Sequence, residues 1–531
     1  VLVCNGPLAE RLADEFHEFG QLKFVHYNKK YNFSDKCNEG ARAASGEIVV
    51  FYNDDVFPAQ SDWIEKLIEY LSISDVGGVS PKLLHEDETI QYAGMISGTP
   101  GLCGTAYNNV PRDANDSFLS MHKYVRNVSI LSGACCALKA ELFWRIGGFD
   151  PVNTPDGHSD MDLSYKLLDA GYRCVYTPHA VLYHIGNHSW GAKSVKYKAD
   201  IYVLKRWGAY VSRDPNFTDS MKKVLYRDFR FDYKIFASHI DANATYTGPD
   251  VLFVSHELSL TGAPRMLLCA TVAVLRSGGF PVVVAPADGP MRKELEQAGV
   301  VVIVDQSLCE GHFLFERFAR NFDVVVANTM AVSDVVHQLE AIDNLDVVWW
   351  LHEGRALETA LGAEPGIDST RVRLLCVSEY ARSCLPAGFH AEVLYNGIPD
   401  RSGEIQKRLP ADRCTFVLAG TIEHRKGQDL FVDAILLLPE DVRASCRFLM
   451  TGKLAEQNIP FWSEVRERMG TAPEIEYLGL LNHSELLELL GGADAIVCCS
   501  RDEAFSLVAV EGAMVAKPSI VSPNVGIADL L

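Results

Sequence analysis

Along residues 1–190, short apolar runs alternate with stretches whose apolar positions recur at helical spacing. VLVCN, KFVHYN and EIVVFYN read as buried strands, and LAERLADEFHEF, CNEGARAAS and WIEKLIEYLS read as amphipathic helices between them. Strand–helix alternation predicts an α/β domain with a mostly parallel sheet and helices on both faces. In such sheets, ligands bind beyond the carboxyl ends of the strands. The rhythm breaks over 200–248, where KRWGAYVSRDPNFTDSMKKVLYRDFRFDYKIF mixes charge and aromatics and reads as a helical linker or packing arm. It restarts at PDVLFVSHE (249–257), continues through FPVVVAPADG, DVVVANTM, VVWWLHE and LLCVSE, and resets at CTFVLAGTIEHRKG (414–427) after the polar connector DRSGEIQKRLPAD. The predicted segments are a domain over 1–199, the linker 200–248, a domain over 249–411 and another over 412–531.

Composition narrows the class. A chain of 531 residues exceeds one ordinary core, and about three domains of roughly 150–200 residues are expected. With 48% hydrophobic and 22% charged residues the chain is globular. A formal charge of −20 argues against a nucleic-acid partner, which needs a basic footprint. A nucleotide ligand is still compatible, because a bound metal or a few local Arg and Lys can invert the field of one cleft. The 14 cysteines stand singly or as adjacent pairs (Cys135–Cys136, Cys498–Cys499) with no C-x-x-C, as in a reduced cytoplasmic protein rather than a disulfide frame or zinc site. No apolar run approaches the ~18 residues of a membrane span, and no signal peptide is visible, so a cytoplasmic location is expected. The chain opens on an apparent strand without an initiator Met and stops at GIADLL as a helix begins; a fragment cut at both ends is expected.

VVFYNDDVFP (49–58) passes from apolar strand to Asn53, Asp54 and Asp55. Such residues are ordinary turn formers, and they are also the oxygen ligands that hard divalent cations select. Three further stretches decide between these readings: CNEGARAASGE (37–47) with Asn38, LSGACCALKAELFWRIGGFD (131–150), and GHSDMDLSYKLLDAGYRCVYTPHAVLYH (157–184), which has Asp160 and Asp162 at a helix start and His184 after a strand. Taken in order, these pieces resemble an inverting glycosyltransferase of family 2, with the GT-A fold and close to the rhamnosyltransferase-like branch. The resemblance implies Mn²⁺ or Mg²⁺ held by Asp55, with Asn53 replacing the first acid of the D-x-D cluster and His184 as the third protein contact. It places Asn38 and Asp54 at the donor and makes Asp160 the base that deprotonates the acceptor hydroxyl. Ser159 stands where the pattern usually carries an acid.

The second half presents different chemistry. HELSLTGAPRMLL (256–268) sets Gly262 in a loop before a helix, where backbone N–H groups can approach an anion. His352 follows a tryptophan-rich strand, Arg425 and Lys426 follow another, and SRDEAFSLVAVEGAM carries Glu503 and Glu511. The helix is expected to start near Phe505 and Ser506, with Glu511 about two turns later. These pieces resemble a family 4 glycosyltransferase, a retaining enzyme of the GT-B fold with paired Rossmann-like domains. The resemblance implies Arg425 and Lys426 on the donor diphosphate, Glu511 on the nucleotide ribose and Glu503, the catalytic acid residue of this half, on the donor sugar. It implies that His352 and Gly262 face the cleft.

Together the halves imply a bifunctional glycosyltransferase using nucleotide-sugar donors. The first half is metal-dependent and the second metal-free, and they extend a glycan or lipid-linked glycan of a bacterial surface polysaccharide or O-antigen. A lipid-linked acceptor would bring peripheral contact with the inner membrane. Two rivals stand beside this reading: a degenerate glycan-binding scaffold with transferase folds, and a nucleotidyltransferase built on the first acidic cluster.

Overall fold

The computed structural model describes residues 1–531 except 100, 116–117, 187–197, 226–232, 238–244, 311–316, 364–366, 369 and 405–412. The chain forms two compact units: Val1–Asp250 with Gly278–Ala287 and Lys293–Phe322, and Val251–Ser277 with Asp288–Arg292 and Asp323–Leu531. The sheets are joined mostly in parallel, as the strand–helix rhythm predicts, but the first unit departs from this with several antiparallel pairings.

There, strands Ile48–Tyr52, Cys135–Lys139, Val76–Leu84, Arg173–His184 and Val56–Pro58 lie side by side in that order. Val76–Leu84 and Arg173–His184 pair parallel, whereas Cys135–Lys139 is inserted antiparallel to both of its neighbours. Every residue of Val76–Leu84 is buried, which explains why VGGVSPKLL lacks polar alternation. Leu2–Cys4 and Phe24–His26 pair parallel with each other in a separate small sheet.

The helix Phe33–Ala43 starts at Asn32, whose side chain accepts from Asp35 N–H. Its Asn38 amide clamps the G-G-F-D turn: Nδ2 donates to Phe149 O at 2.9 Å and Oδ1 accepts from Phe149 N–H at 3.1 Å. Gly148 takes a positive φ of 63°, and a Cβ there would come 2.9 Å from Asn38 Oδ1, so the turn needs glycine on both counts. Phe149 then packs edge-on to Phe33, Phe51 and Phe143, with ring centroids 5.0–5.8 Å apart.

The stretch expected to be a helical arm contains the helices Ala199–Ser212 and Asp219–Leu225, but also a strand, Tyr233–Phe236. This strand pairs antiparallel with Val301–Asp305, which pairs parallel with Phe280–Ala285. Helix Ala199–Ser212 is tied to Ser159–Asp169 through Asp162, which is completely buried. Tyr202 OH and Trp207 Nε1–H both donate to Asp162 Oδ1 at 2.9 Å, and Lys166 Nζ lies 2.6 Å from Oδ2. Asp162 therefore fastens two helices. Beside it, His158 sits in left-handed backbone (φ 57°) with Nε2 2.6 Å from Asp200 Oδ1, whose other oxygen accepts from Asn321 Nδ2 at 2.8 Å.

In the second unit, Asp250–Ser255, Val324–Asn328, Asp346–Leu351, Val372–Cys376 and Ala391–Val393 follow one another with every pairing parallel. A second parallel sheet orders Ile475–Tyr477, Cys446–Thr451, Cys414–Ala419, Ala495–Cys498 and Ser519–Val521. Both are Rossmann-like α/β arrangements, as expected. The described cysteines are free, and no described helix is long and apolar enough to cross a membrane.

Two outcomes follow for the first unit. Phe149→Ala removes a ring that is 1% exposed and should destabilise the unit by about 3–5 kcal/mol, read as an earlier urea transition; a change below ~1 kcal/mol would show that the turn tolerates the cavity. The second concerns His158. Burial alone would lower its pKa, but the hydrogen bonds and charges of Asp200 and Cys103 together outweigh this and lift it to about 10. A folded pKa above the unfolded value of ~6.5 means the pair stabilises fully below about pH 6.5 and loses that contribution as pH rises to about 10. Thermal scans across that window should show a falling midpoint in the wild type and a flatter profile in Asp200→Asn.

Candidate active sites

The first site is assembled by strand register. Strand Ile48–Tyr52 ends where Tyr52 pairs with Cys135, so the Asn53–Asp55 turn lies against Gly133–Ala134. Asn53 N–H donates to Ala134 O at 3.0 Å, and Asn53 O accepts from Val56 N–H at 3.3 Å. One residue back, Gly133 N–H points to Asp160 Oδ2 at 3.4 Å. A single segment thus separates the acidic turn from the candidate base.

Asp160 occupies the first turn of Ser159–Asp169, where the helix dipole favours a carboxylate. Its Oδ1 accepts from Met161 N–H at 2.9 Å. Burial pushes its pKa above the usual carboxylate range, opposed by the charge of His158 and by the Met161 and Gly133 N–H groups. A raised carboxylate pKa lies closer to the working pH of a general base.

Asp55 and His184 meet at the end of Arg173–His184. Val56 pairs with His184, and Ile185 N–H donates to Asp55 O at 3.0 Å. The Asp55 side chain is 42% exposed, yet its Oδ1 is buried, has no hydrogen-bond partner and lies 3.2 Å from His184 Nε2. Burial lowers the His184 pKa, with Asp55 pulling the other way. A buried carboxylate oxygen without a donor beside an imidazole nitrogen suits a divalent cation. Among the described residues no group of three His, Cys, Asp or Glu side chains is arranged for a metal; the fit rests on this pair, with Asn53 two residues upstream. Asp54 is exposed in the turn, and Asn38 lies in the clamp on Phe149.

In the second unit, Arg425 and Lys426 lie in the short turn His424–Lys426 after Cys414–Ala419. Gly427 ends the turn at φ 72°, and a Cβ there would meet Cys499 O at 2.3 Å, so the R-K-G glycine is sterically required. Lys426 Nζ pairs with Glu503 Oε2, and Arg425 Nη1 reaches the same oxygen at 3.2 Å and Asp502 O at 2.8 Å. Arg425 Nη2 also donates to Glu423 Oε1 at 2.7 Å. Glu503 is thus drawn to the cations expected to meet a diphosphate.

The helix after Glu503 runs Leu507–Met514, with Ser506 as its N-cap. This is the start expected near Phe505 and Ser506, and Glu511 stands about one turn into the helix. Glu511 is 8% exposed, and its Oε1 lies 2.8 Å from His483 Nε2. Arg265 and Arg401 approach His483 Nδ1 at 3.2 and 3.3 Å. Gly262, expected in a loop before the helix, is instead the first residue of the helix Gly262–Arg276, and a Cβ on it would lie 3.9 Å from Leu507 Cδ1 at the start of the Glu511 helix. His352 packs on Trp350 with centroids 4.5 Å apart, its Nε2 is buried without a partner, and burial lowers its pKa to about 3 with His256 adding to the effect. It is a neutral imidazole at physiological pH.

Several residues escaped the sequence reading. Asp502 accepts from Tyr380 OH at 2.8 Å and from Arg355 N–H at 3.2 Å. Its neighbour Gly354 is pressed so close that a Cβ would lie 2.1 Å from Asp502 Oδ1. Its position beside Glu503 was the one available signal. His483 was concealed in the capping box of Asn482 and Glu485, and Gln91 lies in a short strand with no motif at all.

Comparison with known proteins agrees with this division. Residues 7–202 match "Glycosyltransferase like family 2", 247–374 match "Glycosyl-transferase family 4" and 402–531 match "Glycosyl transferases group 1". The uncharacterized protein y4gI of Sinorhizobium fredii is 30% identical over 234 residues, which are 42% of this chain and 25% of that protein. The O-antigen biosynthesis protein RfbC of Myxococcus xanthus is 30% identical over 164 residues, 31% of this chain and 13% of its own length. Among solved structures, Anabaena HepE in complex with UDP and glucose aligns with a TM-score of 0.46 at 18% identity, covering 54% of this chain and 83% of HepE. The chain is thus a fusion of a glycosyltransferase family 2-like domain with family 4 and group 1 glycosyltransferase domains.

Proposed function

We propose that the chain is a bifunctional glycosyltransferase that makes two sugar additions to one growing glycan. The observation that carries this reading is the opposite charge of the two sites. One gathers Asp55, His184 and Asp160; the other sets Arg425 and Lys426 around Glu503. A nucleoside diphosphate can be bound by either arrangement, with a cation in the first and with the side chains themselves in the second.

In the first domain, Asn53, Asp55 and His184 would hold Mn²⁺ or Mg²⁺. When bound, the ion supplies Lewis-acid stabilisation of charge on the leaving diphosphate. Asp160 takes the proton of the acceptor hydroxyl, and its raised pKa suits that transfer. Attack from the face opposite the leaving group inverts the anomeric carbon. Asp54 and Asn38 serve the donor side, Asn38 by holding the turn at Phe149.

In the second domain, Arg425 and Lys426 bind the diphosphate, Glu511 the ribose and Glu503 the donor sugar, with retention and without metal. Gly262 and the neutral His352 line the same cleft. Tethering the two sites raises the local concentration of the once-extended glycan. RfbC, matched over part of its length, is an O-antigen biosynthesis protein, and a bacterial surface polysaccharide built on a lipid-linked acceptor at the cytoplasmic membrane face fits this pairing.

Nucleotide-induced stabilisation of the full chain tests the division of labour. With UDP, GDP, dTDP or ADP in turn, saturation at 100 Kd should stabilise a responsive unit by about 2.7 kcal/mol. Part of the response should need Mn²⁺ and part should survive EDTA. Asp55→Ala should remove only the Mn²⁺-dependent part. Lys426→Ala should weaken the EDTA-resistant binding about ten- to a hundredfold, the worth of one charged hydrogen bond. Retention of Mn²⁺-dependent binding in Asp55→Ala would sink the first assignment, and unchanged EDTA-resistant binding in Lys426→Ala the second.

A further inference from the structure

A hydrogen-bonded chain runs behind His184, and its atoms leave only one arrangement of protons. Gln91 Nε2 lies 3.1 Å from His184 O and Gln91 Oε1 lies 2.6 Å from His184 Nδ1. A carbonyl oxygen can only accept, so the amide nitrogen must be the group facing His184 O. The amide oxygen therefore faces Nδ1, and because that oxygen can only accept, Nδ1 must carry the hydrogen. The same Nε2 lies 3.3 Å from His85 Nδ1, which must then accept, and His85 Nε2–H is left to donate to Asn108 Oδ1 at 3.3 Å. Each link agrees with the next.

The consequence falls on the other side of the His184 ring. With Nδ1 protonated, the neutral ring presents a lone pair at Nε2, 3.2 Å from Asp55 Oδ1. That oxygen is buried, and in this tautomer Nε2 has no hydrogen to donate to it. Two electron-rich atoms at this distance repel each other unless a cation lies within reach of both.

We propose that Gln91 is a positioning residue: it holds His184 in the Nδ1–H tautomer and fixes the ring so that Nε2 and Asp55 offer two lone pairs to one divalent cation. This rests on the metal reading above and adds the residue that prepares the ligand. Outer partners of this kind orient a histidine and raise its basicity, and their loss typically lowers metal affinity 10- to 100-fold. Gln91 is half-buried on the strand Ile90–Tyr92, which pairs with the edge of Val76–Leu84. It therefore acts from a rigid element and needs no contact with donor or acceptor.

The test is a titration of the full chain with Mn²⁺ alone, following the electron paramagnetic resonance signal of the free ion. Asp55→Ala defines the background of weak sites on a chain of charge −20. Gln91→Leu, which cannot accept from Nδ1–H, should weaken the Asp55-dependent site about 10- to 100-fold. Gln91→Glu keeps an acceptor for Nδ1–H and should bind Mn²⁺ within about threefold of wild type, well short of the loss expected for Leu. The Glu variant keeps the test decisive if Gln91→Leu folds poorly. Wild-type affinity in Gln91→Leu, with loss in Asp55→Ala, would overturn the role of Gln91 and leave the metal site standing. Loss in Gln91→Glu to the Asp55→Ala background would also overturn it. A wild type that binds no better than Asp55→Ala would remove the metal reading itself, and the proposal with it.

Discussion

The antiparallel insertion of Cys135–Lys139 between Ile48–Tyr52 and Val76–Leu84 is the constraint on which the first site depends. Pairing of Cys135 with Tyr52 aligns Gly133 and Ala134 against the acidic turn, and from there Gly133 reaches Asp160. Side chains alternate along a strand, so a slip by one residue would exchange Cys136 and Leu138 with Cys135 and Ala137 between two packed faces and carry the segment off the turn. Their near-complete burial locks the register. The chemistry of the site is thus held by hydrophobic packing several residues away from it.

On the proposed reading, the two units answer one physical problem, the binding of a diphosphate by an acidic protein, in opposite ways. The first accumulates oxygen and imidazole ligands and leaves a buried carboxylate oxygen without a donor. The second concentrates Arg425 and Lys426 at a glycine-ended turn and balances them with Glu503. In both, the reacting groups stand at strand ends or the first turn of a helix, where backbone dipoles and open space coincide. The structural acids are tied to several donors instead: Asp162 to Tyr202, Trp207 and Lys166, and Asp214 to Ser97, Ser129, Asn216 and Phe217. These pairings mark the acids that fasten the fold, in contrast to the half-exposed Asp55 beside His184.

Local pattern was enough for much of the architecture. Apolar runs bounded by turn residues located the strands Ile48–Tyr52, Asp250–Ser255 and Cys414–Ala419, the second of them buried along its whole length. Motif order put Asp55, Asp160, His184, Arg425, Lys426, Glu503 and Glu511 at strand ends, in the turn that follows, or by a helix start, which is where these residues stand in the fold. Tyr233–Phe236 was hidden among charged and aromatic residues, because its burial comes from pairing with a strand some 70 residues later. The partner of Asn38 was hidden in the same way, since its amide faces the backbone of a residue 111 positions away.

By itself, then, the sequence determined which residue types stand at the ends of which strands, and with them the kind of chemistry each half is equipped for. Periodicity and turn composition are local properties, and they survive in one dimension. Only the tertiary structure decided which groups are spoken for and which are left open: that His483 holds Glu511, that Asp502 meets Tyr380, and that Gln91 leaves the Nε2 lone pair of His184 facing Asp55. Those facts depend on hydrogen-bond geometry between segments far apart in the chain. Direction and distance of that kind come into being only when the strands are packed.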